Sequence, residues 1–359
     1  MEYKTLGELC DVVSGGTPSR SKQDYWNGDI PWIKIGNIKS RYISEADEFI
    51  TEAGLSESSA KILKKGTILY TIFATLGEVG VLTIDACTNQ AIAGITIKDE
   101  SIIDRDYLFY FLKSKKNYVN EVGRGVAQNN INMSILRGFE VPLRNLHEQQ
   151  EITEVLDKTS LIIEARRREL EKLDTLIKAR FVEMFGDVVL NTKKWENYTW
   201  DNVLTIKNGK NQKDVENPKG IYPICGSGGI MNYADDYITE SNSVIIGRKG
   251  NINNPILMRE KFWNVDTAFG LEPNTTVLNV DYLFMFCNFF DFEILNKAVT
   301  IPSLTKADLL KIIIPVPPIE LQNQFADFVK QVDKSKVVVQ KALDEAKILF
   351  DSLMQEYFG

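Results

Sequence analysis

Apolar side chains recur every three or four positions along two long stretches of the chain. The first runs from about residue 148 to 185 and carries Ile152, Val155, Leu156, Ile162, Ile163, Leu170, Leu173, Leu176, Ile177, Phe181 and Met184. The second carries Phe325, Phe328, Val329, Val332, Val339, Leu343, Ala346, Leu349, Leu353 and Tyr357. That spacing is the apolar stripe of an α-helix, and at 1.5 Å per residue the first stretch predicts a helix of roughly 55 Å. Neither stretch has a globular segment of its own to cover such a length. The two stripes are therefore expected to pack on each other as a coiled coil, antiparallel because the chain returns through a globular segment between them. The outward faces are left for other subunits.

The remaining sequence alternates as strands do. Ile30 to Ile38, Gly66 to Tyr70 and Ile92 to Ile97 predict strands, with Gly15-Gly16-Thr17-Pro18-Ser19 as a loop and Asp106 to Lys113 as a short helix. After the first long helix the same order returns, with strands at Tyr222-Pro223-Ile224 and Ser243 to Gly247 and a helix from Asp281 to Phe290. Strands with few helices favour an α+β fold over a doubly wound sheet.

The return is a true internal repeat. From Val141-Pro142 through Leu146, Gln149, Ile152, Leu170, Leu176, Glu183 and Phe185 to Gly186, an unbroken register matches Ile314-Pro315 through Ile319, Gln322, Phe325, Leu343, Leu349, Glu356 and Phe358 to Gly359, 173 residues on. Asp106-Tyr107-Leu108-Phe109 recurs 175 residues on as Asp281-Tyr282-Leu283-Phe284, and Leu9 to Gly15 echoes Val203 to Gly209 at 194. Insertions in loops explain the drift. So long a period makes the repeated unit a whole domain followed by a helix, giving domains at 1–145 and 188–313 and helical spacers at 146–187 and 314–359. Two similar domains joined by helices suit a two-part target.

Composition narrows the chemistry. The chain has 42 Lys and Arg against 49 Asp and Glu, and the two globular segments are each near neutral, with 17 basic and 18 acidic residues in 1–145 and 13 and 14 in 188–313. A self-sufficient nucleic-acid binder usually carries a basic excess, so any such affinity must come from a local patch or from partner subunits. A single histidine, His147, stands at a helix start beside Glu148 and Gln149, where it is expected to be solvated or capping. Most catalytic triads and many zinc sites need a placed imidazole, and no phosphate-binding loop or dinucleotide fingerprint is present. The four cysteines are far apart and read as core thiols. No apolar run approaches a membrane span and the first residues begin no signal peptide, so the cytoplasm is the expected compartment.

Three loops combine groups suited to base edges. Arg248-Lys249-Gly250-Asn251 follows a strand and offers cations for guanine and an amide for adenine, with Asn253 and Asn254 nearby. Thr17, Ser19, Arg20 and Lys22 form a second polar loop, and Arg124, Gln128, Asn129, Asn130 and Asn132 a third. A charged hairpin tip or a solvated loop has the same composition. Cys225-Gly226-Ser227-Gly228-Gly229 has the residues of a nucleophile or phosphate cradle, but without a histidine base or a following helix it reads as a turn.

At this point the chain resembles the specificity subunits of type I restriction-modification systems. Gly15-Gly16-Thr17-Pro18, then Gly28 to Ile38, Asn89-Gln90 and Gln128 to Asn132 look like one form of that family's target recognition domain. Gly228-Gly229-Ile230, Ile246 to Gly250 and Asp266-Thr267-Ala268-Phe269 look like the other. The Pro-containing entries into helices that end in Phe-Gly are similar to its helical spacers. The resemblance implies two similar target recognition domains joined by two long antiparallel coiled-coil helices with pseudo-two-fold internal symmetry. It further implies a noncatalytic subunit that reads a bipartite double-stranded DNA target, one half per domain. Partners would be methyltransferase subunits, expected as two, and restriction subunits in the full assembly. No cofactor is expected in this subunit, with S-adenosylmethionine, ATP and Mg held by partners. The residues carried into the DNA-contacting set, beyond the loops above, are Lys34, Asn37, Thr75, Asn89, Gln90, Lys210, Thr305 and Lys306. Where the family often has an Arg, this chain has Thr75-Leu76-Gly77-Glu78, so basic contacts there are expected to be fewer. A specificity subunit of a stand-alone methyltransferase, or a coiled-coil adaptor that binds no DNA, fits the same pattern.

Overall fold

The computed structural model describes residues 2–124 and 130–359. Both predicted long helices form, spanning Leu146–Phe185 and Ile319–Phe358. The short repeated helices are Arg105–Ser114 and Val280–Phe289, each started by an Asx cap, Asp104 or Asn279, that accepts the backbone N–H of Asp106 or Asp281.

The chain divides into two compact units that cut across its order. The first holds residues 1–165 and 343–359, the second 166–342. Each unit thus takes a globular segment and part of both long helices.

In the first unit, Glu2–Thr5 pairs antiparallel with Glu140–Leu143, closing the domain just before the central helix. A five-stranded sheet runs in the order Cys10–Ser14, Ile92–Ile97, Ile68–Thr71, Val79–Leu82, Tyr42–Ile43, beside a three-stranded one of Glu48–Ile50, Trp26–Ile33 and Cys87–Thr88. The second unit repeats the plan. Glu196–Thr199 pairs with Ile313–Val316, the larger sheet is Leu204–Asn208, Ala268–Pro273, Ser243–Gly247, Ile256–Met258, and the smaller is Gly229–Ala234, Tyr222–Gly226, Trp263–Asn264. The weak sequence echo between Leu9–Gly15 and Val203–Gly209 is therefore the same strand, paired in each domain with the same partner.

Three expectations need correction. The strand predicted at Ile30 to Ile38 occupies Trp26–Ile33 instead. Asn37 Oδ1 accepts the Lys34 N–H, which turns Ile35–Asn37 into a 3-10 helix and ends the extended run. The long helices do not cover their stripes with each other alone. Ile152, Leu156, Met354 and Phe358 belong to the first domain's core, and Ile177, Phe181, Phe185, Phe325, Val329 and Val332 to the second's. Not every residue of the predicted stripe is inside: Val155, Ile162, Leu176 and Leu349 are exposed. The helices do meet antiparallel within the second unit, where Phe181 contacts Phe325 and, earlier on one helix and later on the other, Asp174 pairs with Lys336 at 2.5 Å.

The repeat is clearest at one buried amide. Gln149 accepts the Asp104 N–H at 2.8 Å and donates to the carbonyls of Ile102 and Arg144. Gln322 does the same with the Asn279 N–H and the carbonyls of Val277 and Pro317. Both are fully buried, and each ties a long helix's first turn to the cap of a short one. Beside them Tyr107 donates to Pro142 O and Tyr282 to Pro315 O. The end of a long helix then covers each tyrosine, Phe358 on Tyr107 and Phe185 on Tyr282, both at 5.0 Å between ring centres.

One clamp is not repeated. Arg41 lies 2.8 Å from Asp106 on the short helix, pairs also with Asp157 on the central helix, and faces the Phe109 ring at 4.8 Å. In the second unit Arg259 pairs with Asp281, but the position matching Asp157 is Lys330. Arg41→Met is therefore expected to lower the unfolding free energy by about 1–3 kcal/mol, since it removes the cation shared by two part-buried carboxylates and leaves Asp106 to Arg105 at 3.8 Å. The matching change Arg259→Met strips the cation from one carboxylate only, but Asp281 is the more deeply buried, so a loss of similar size is expected. Thermal denaturation of the two variants compares them directly.

Candidate nucleic-acid interface

Four loops come together at one edge of each domain, laced by matching backbone hydrogen bonds. In the first domain Gly16 N–H donates to Thr88 O, Ile72 N–H to Ala91 O and Ile131 N–H to Ile72 O. In the second, Lys210 N–H donates to Asn264 O, Arg248 N–H to Thr267 O and Leu304 N–H to Arg248 O. The first loop crosses so close to its neighbour that only glycine fits. A Cβ on Gly15 would stand 2.2 Å from Asn89 O, and one on Gly209 1.8 Å from Val265 O. An indole holds the same loop in both domains, Trp32 Nε1 donating to Gly16 O and Trp263 Nε1 to Lys210 O.

Most of the expected contact residues fall on these loops. In the first domain they are Thr17, Ser19, Arg20 and Lys22, then Thr75, Asn89, Gln90 and Asn130, whose bridge to Phe73 completes the edge. Lys34 directly follows Ile33, whose carbonyl accepts the Asn89 N–H, while Asn37 ends the 3-10 turn beyond it and its Oδ1 accepts the Lys34 N–H. Gln128 and Asn129 lie outside the described residues. Arg124 ends the helix Lys116–Arg124. In the second domain Lys210, Arg248, Lys249 and Asn251 lie on the edge, with Thr305 and Lys306 at the start of the short helix that closes it.

Several of these side chains are occupied within the protein. Asn253 donates to Asp291 and accepts the Phe292 N–H, so its amide ties two loops together. Lys306 Nζ donates to Ile206 O, and Thr305 is the helix cap that accepts from Asp308 N–H. Thr17 donates to Gln90, and Asn89 Oδ1 accepts the Ala91 N–H. Amide and lysine counts along a chain do not reveal such commitments, because the partners are distant in sequence.

Electrostatics separates the two edges. In the first domain Arg20 and Lys34 both reach Glu48 at 2.6 Å, and Lys22 reaches Glu57 at 3.3 Å. Hydrogen bonds from Lys34 and then Arg20 hold the Glu48 carboxyl below the usual carboxylate range. The Arg20 guanidinium also stacks on Trp26, 3.7 Å from the ring centre. In the second domain Lys210 and Lys249 are exposed with no carboxylate partner among the described residues, and Arg248 approaches the Asp266 carbonyl at 3.4 Å and lies 5.8 Å from the centre of the Phe269 ring.

No nucleophile competes with this reading at the glycine-rich turn. Ser227-Gly228 is the tip of a hairpin in which Gly226 faces Gly229. All four cysteines are buried and free. Burial pushes Cys10 and Cys225 up to about 12 and Cys87 to about 11, so none is a thiolate near neutral pH. Among the described residues no helix is long and apolar enough to cross a membrane.

One loop-edged domain with a long helix after it occurs twice, which defines an internally duplicated protein of two like domains. The type I restriction modification DNA specificity domain matches this chain twice, at residues 1–174 and 192–346, and the chain belongs to that family. It is a noncatalytic DNA specificity subunit of a type I restriction-modification system. The MjaIX specificity subunit of Methanocaldococcus jannaschii is 26% identical over 401 residues, spanning 98% of this chain and 91% of that protein. The EcoprrI specificity subunit of Escherichia coli is 23% identical over 355 residues, spanning 93% and 88%. Among solved structures, the S subunit of the M. genitalium type I system has a TM-score of 0.63 at 18% identity, covering 100% of this chain and 96% of its own. That likeness is one of fold.

Proposed function

We propose that each domain reads one half of a bipartite DNA target through its four-loop edge, residues 1–145 carrying the first reader and 188–313 the second. The observation that supports this most is that the two edges are built alike, down to the glycine crossing, while the side chains on them differ, the indole that holds the first loop coming from the middle strand of the smaller sheet at Trp32 and from an outer strand at Trp263. A shared frame with different side chains is what two different half-sequences require. Base contacts from the second domain are assigned to Arg248, with Lys249 and Lys210 on phosphates and Asn251 beside them. In the first domain the ion-paired Arg20, Lys22 and Lys34 must leave or share their carboxylates to meet phosphate. The second edge therefore carries more of the salt-dependent affinity.

The remaining machinery belongs to partners. The reading includes two methyltransferase subunits and, in the larger assembly, restriction subunits, which hold S-adenosylmethionine, ATP and Mg. Exposed apolar residues on the long helices, among them Leu161, Ile162, Leu176, Val337 and Val338, offer those subunits a surface. The assembly is cytoplasmic in this account.

Arg248→Ala in the assembled complex is expected to weaken cognate binding by about 1–3 kcal/mol, the worth of a bidentate base contact, and to relax the sequence at one position. Competition binding against point-substituted duplexes measures both effects. Unchanged affinity and unchanged selectivity would remove Arg248 from the interface.

A further inference from the structure

We infer that the tip Val299-Thr300-Ile301 reads the 5-methyl group of a thymine in the half-sequence recognised by the second domain. The inference rests on the DNA-reading role proposed above and adds residues and a base to it. The tip is an apolar point on a firmly tied base. Asn296 Oδ1 accepts the N–H groups of both Ala298 and Ser303, closing the loop on itself. Gly250 N–H donates to Pro302 O at 2.9 Å, Lys249 bridges to Ser303, and Leu304 N–H donates to Arg248 O. The tip is thereby joined by backbone to the segment that carries the part-buried Arg248 and the exposed Lys249. Yet Val299 is 99% exposed and Ile301 61%, with exposed Thr300 between them.

Two branched aliphatic side chains held in water by four hydrogen bonds gain nothing for the fold. Beside Arg248 and Lys249, which is exposed and has no carboxylate partner among the described residues, their complement is a surface with phosphates and a small apolar point. In the major groove the only apolar group on a base edge is the thymine methyl. A partner protein's apolar face is the competing occupant, but the neighbouring cations and the shortness of a three-residue tip favour DNA.

The test uses the assembled methyltransferase complex and the motif obtained by sequencing methylated positions in cells that carry it. Each thymine of the second domain's half is replaced in turn by deoxyuridine, which removes only the methyl. At one position, affinity is expected to fall about fourfold, the worth of burying one methyl-sized group. Val299→Ser with Ile301→Ser should bind the thymine and deoxyuridine duplexes alike while still assembling. A half-sequence without thymine on either strand would overturn the inference, as would equal binding of both duplexes by the unaltered protein. Loss of assembly in the serine variant without a deoxyuridine effect would assign the tip to a partner subunit. In either case Arg248→Ala still reports whether this domain reads DNA at all, so the two readings fail separately.

Discussion

A chain ending at residue 342 is expected to lose the stability of its first domain and keep that of its second. The final segment lies far from the first domain in sequence but inside its core. Met354 and Phe358 are buried there, Phe358 stands on both Tyr107 and Phe111, and Phe350 faces Tyr110. Lys115 also donates to Phe358 O. Truncating one buried Phe costs about 3–5 kcal/mol, and removing the whole segment exceeds that, against the roughly 5–15 kcal/mol that holds a domain together. The second domain's counterparts, Phe181 and Phe185, come from the central helix and survive the truncation. Hydrogen exchange resolved by peptide is the readout. Protection should collapse across Arg105–Ser114 and persist across Val280–Phe289. Equal loss in both helices would show that the two cores are not separately covered.

Inserting four helix-forming residues after Lys172 is expected to shift the gap between the half-sequences and leave the halves themselves unchanged. The position is exposed and lies within Leu146–Phe185, which leads along the chain from the first globular segment to the second. Four residues add about 6 Å of helix. DNA rises about 3.4 Å per base pair, so the gap changes by at most about two base pairs. The change should be smaller than that limit, because the insertion also rotates the stripe out of its heptad register and strains the pairing of Asp174 with Lys336. Sequencing the methylated motifs of cells carrying the insertion gives the gap directly. Retained methylation with an unaltered gap would mean that this helix does not set the distance.

The parts of the fold that sequence reveals are those fixed by local periodicity. Ile92–Ile97 and Ser243–Gly247 appear where alternation predicts them, and both long helices appear at their three-and-four spacing. The strand after Gly28 overran because one amide, Asn37, competes for the backbone, and alternation of apolar residues carries no sign of that. Gln149 and Gln322 stood in the repeat register as an identical polar residue within two apolar stripes. That coincidence is a signal for a buried, fully bonded side chain, since an amide there is tolerated only when its partners are in place. The polar loops were legible in the sequence, and the bonds their side chains already make within the fold were not. Asn253 and Lys306 have the chemistry of base and phosphate ligands, but their partners Asp291, Phe292 and Ile206 are 38, 39 and 100 residues away. Arg41, which carries the largest ionic cluster of the first domain, gave no local signal either.

The central claim is that two separate readers divide one target between them. Its most direct measurement replaces residues 1–145 with the corresponding domain of another specificity subunit and sequences the methylated motifs that result. The account predicts that one half of the motif changes to that of the donor while the other half stays as it was. A motif altered in both halves, or in neither, would contradict it.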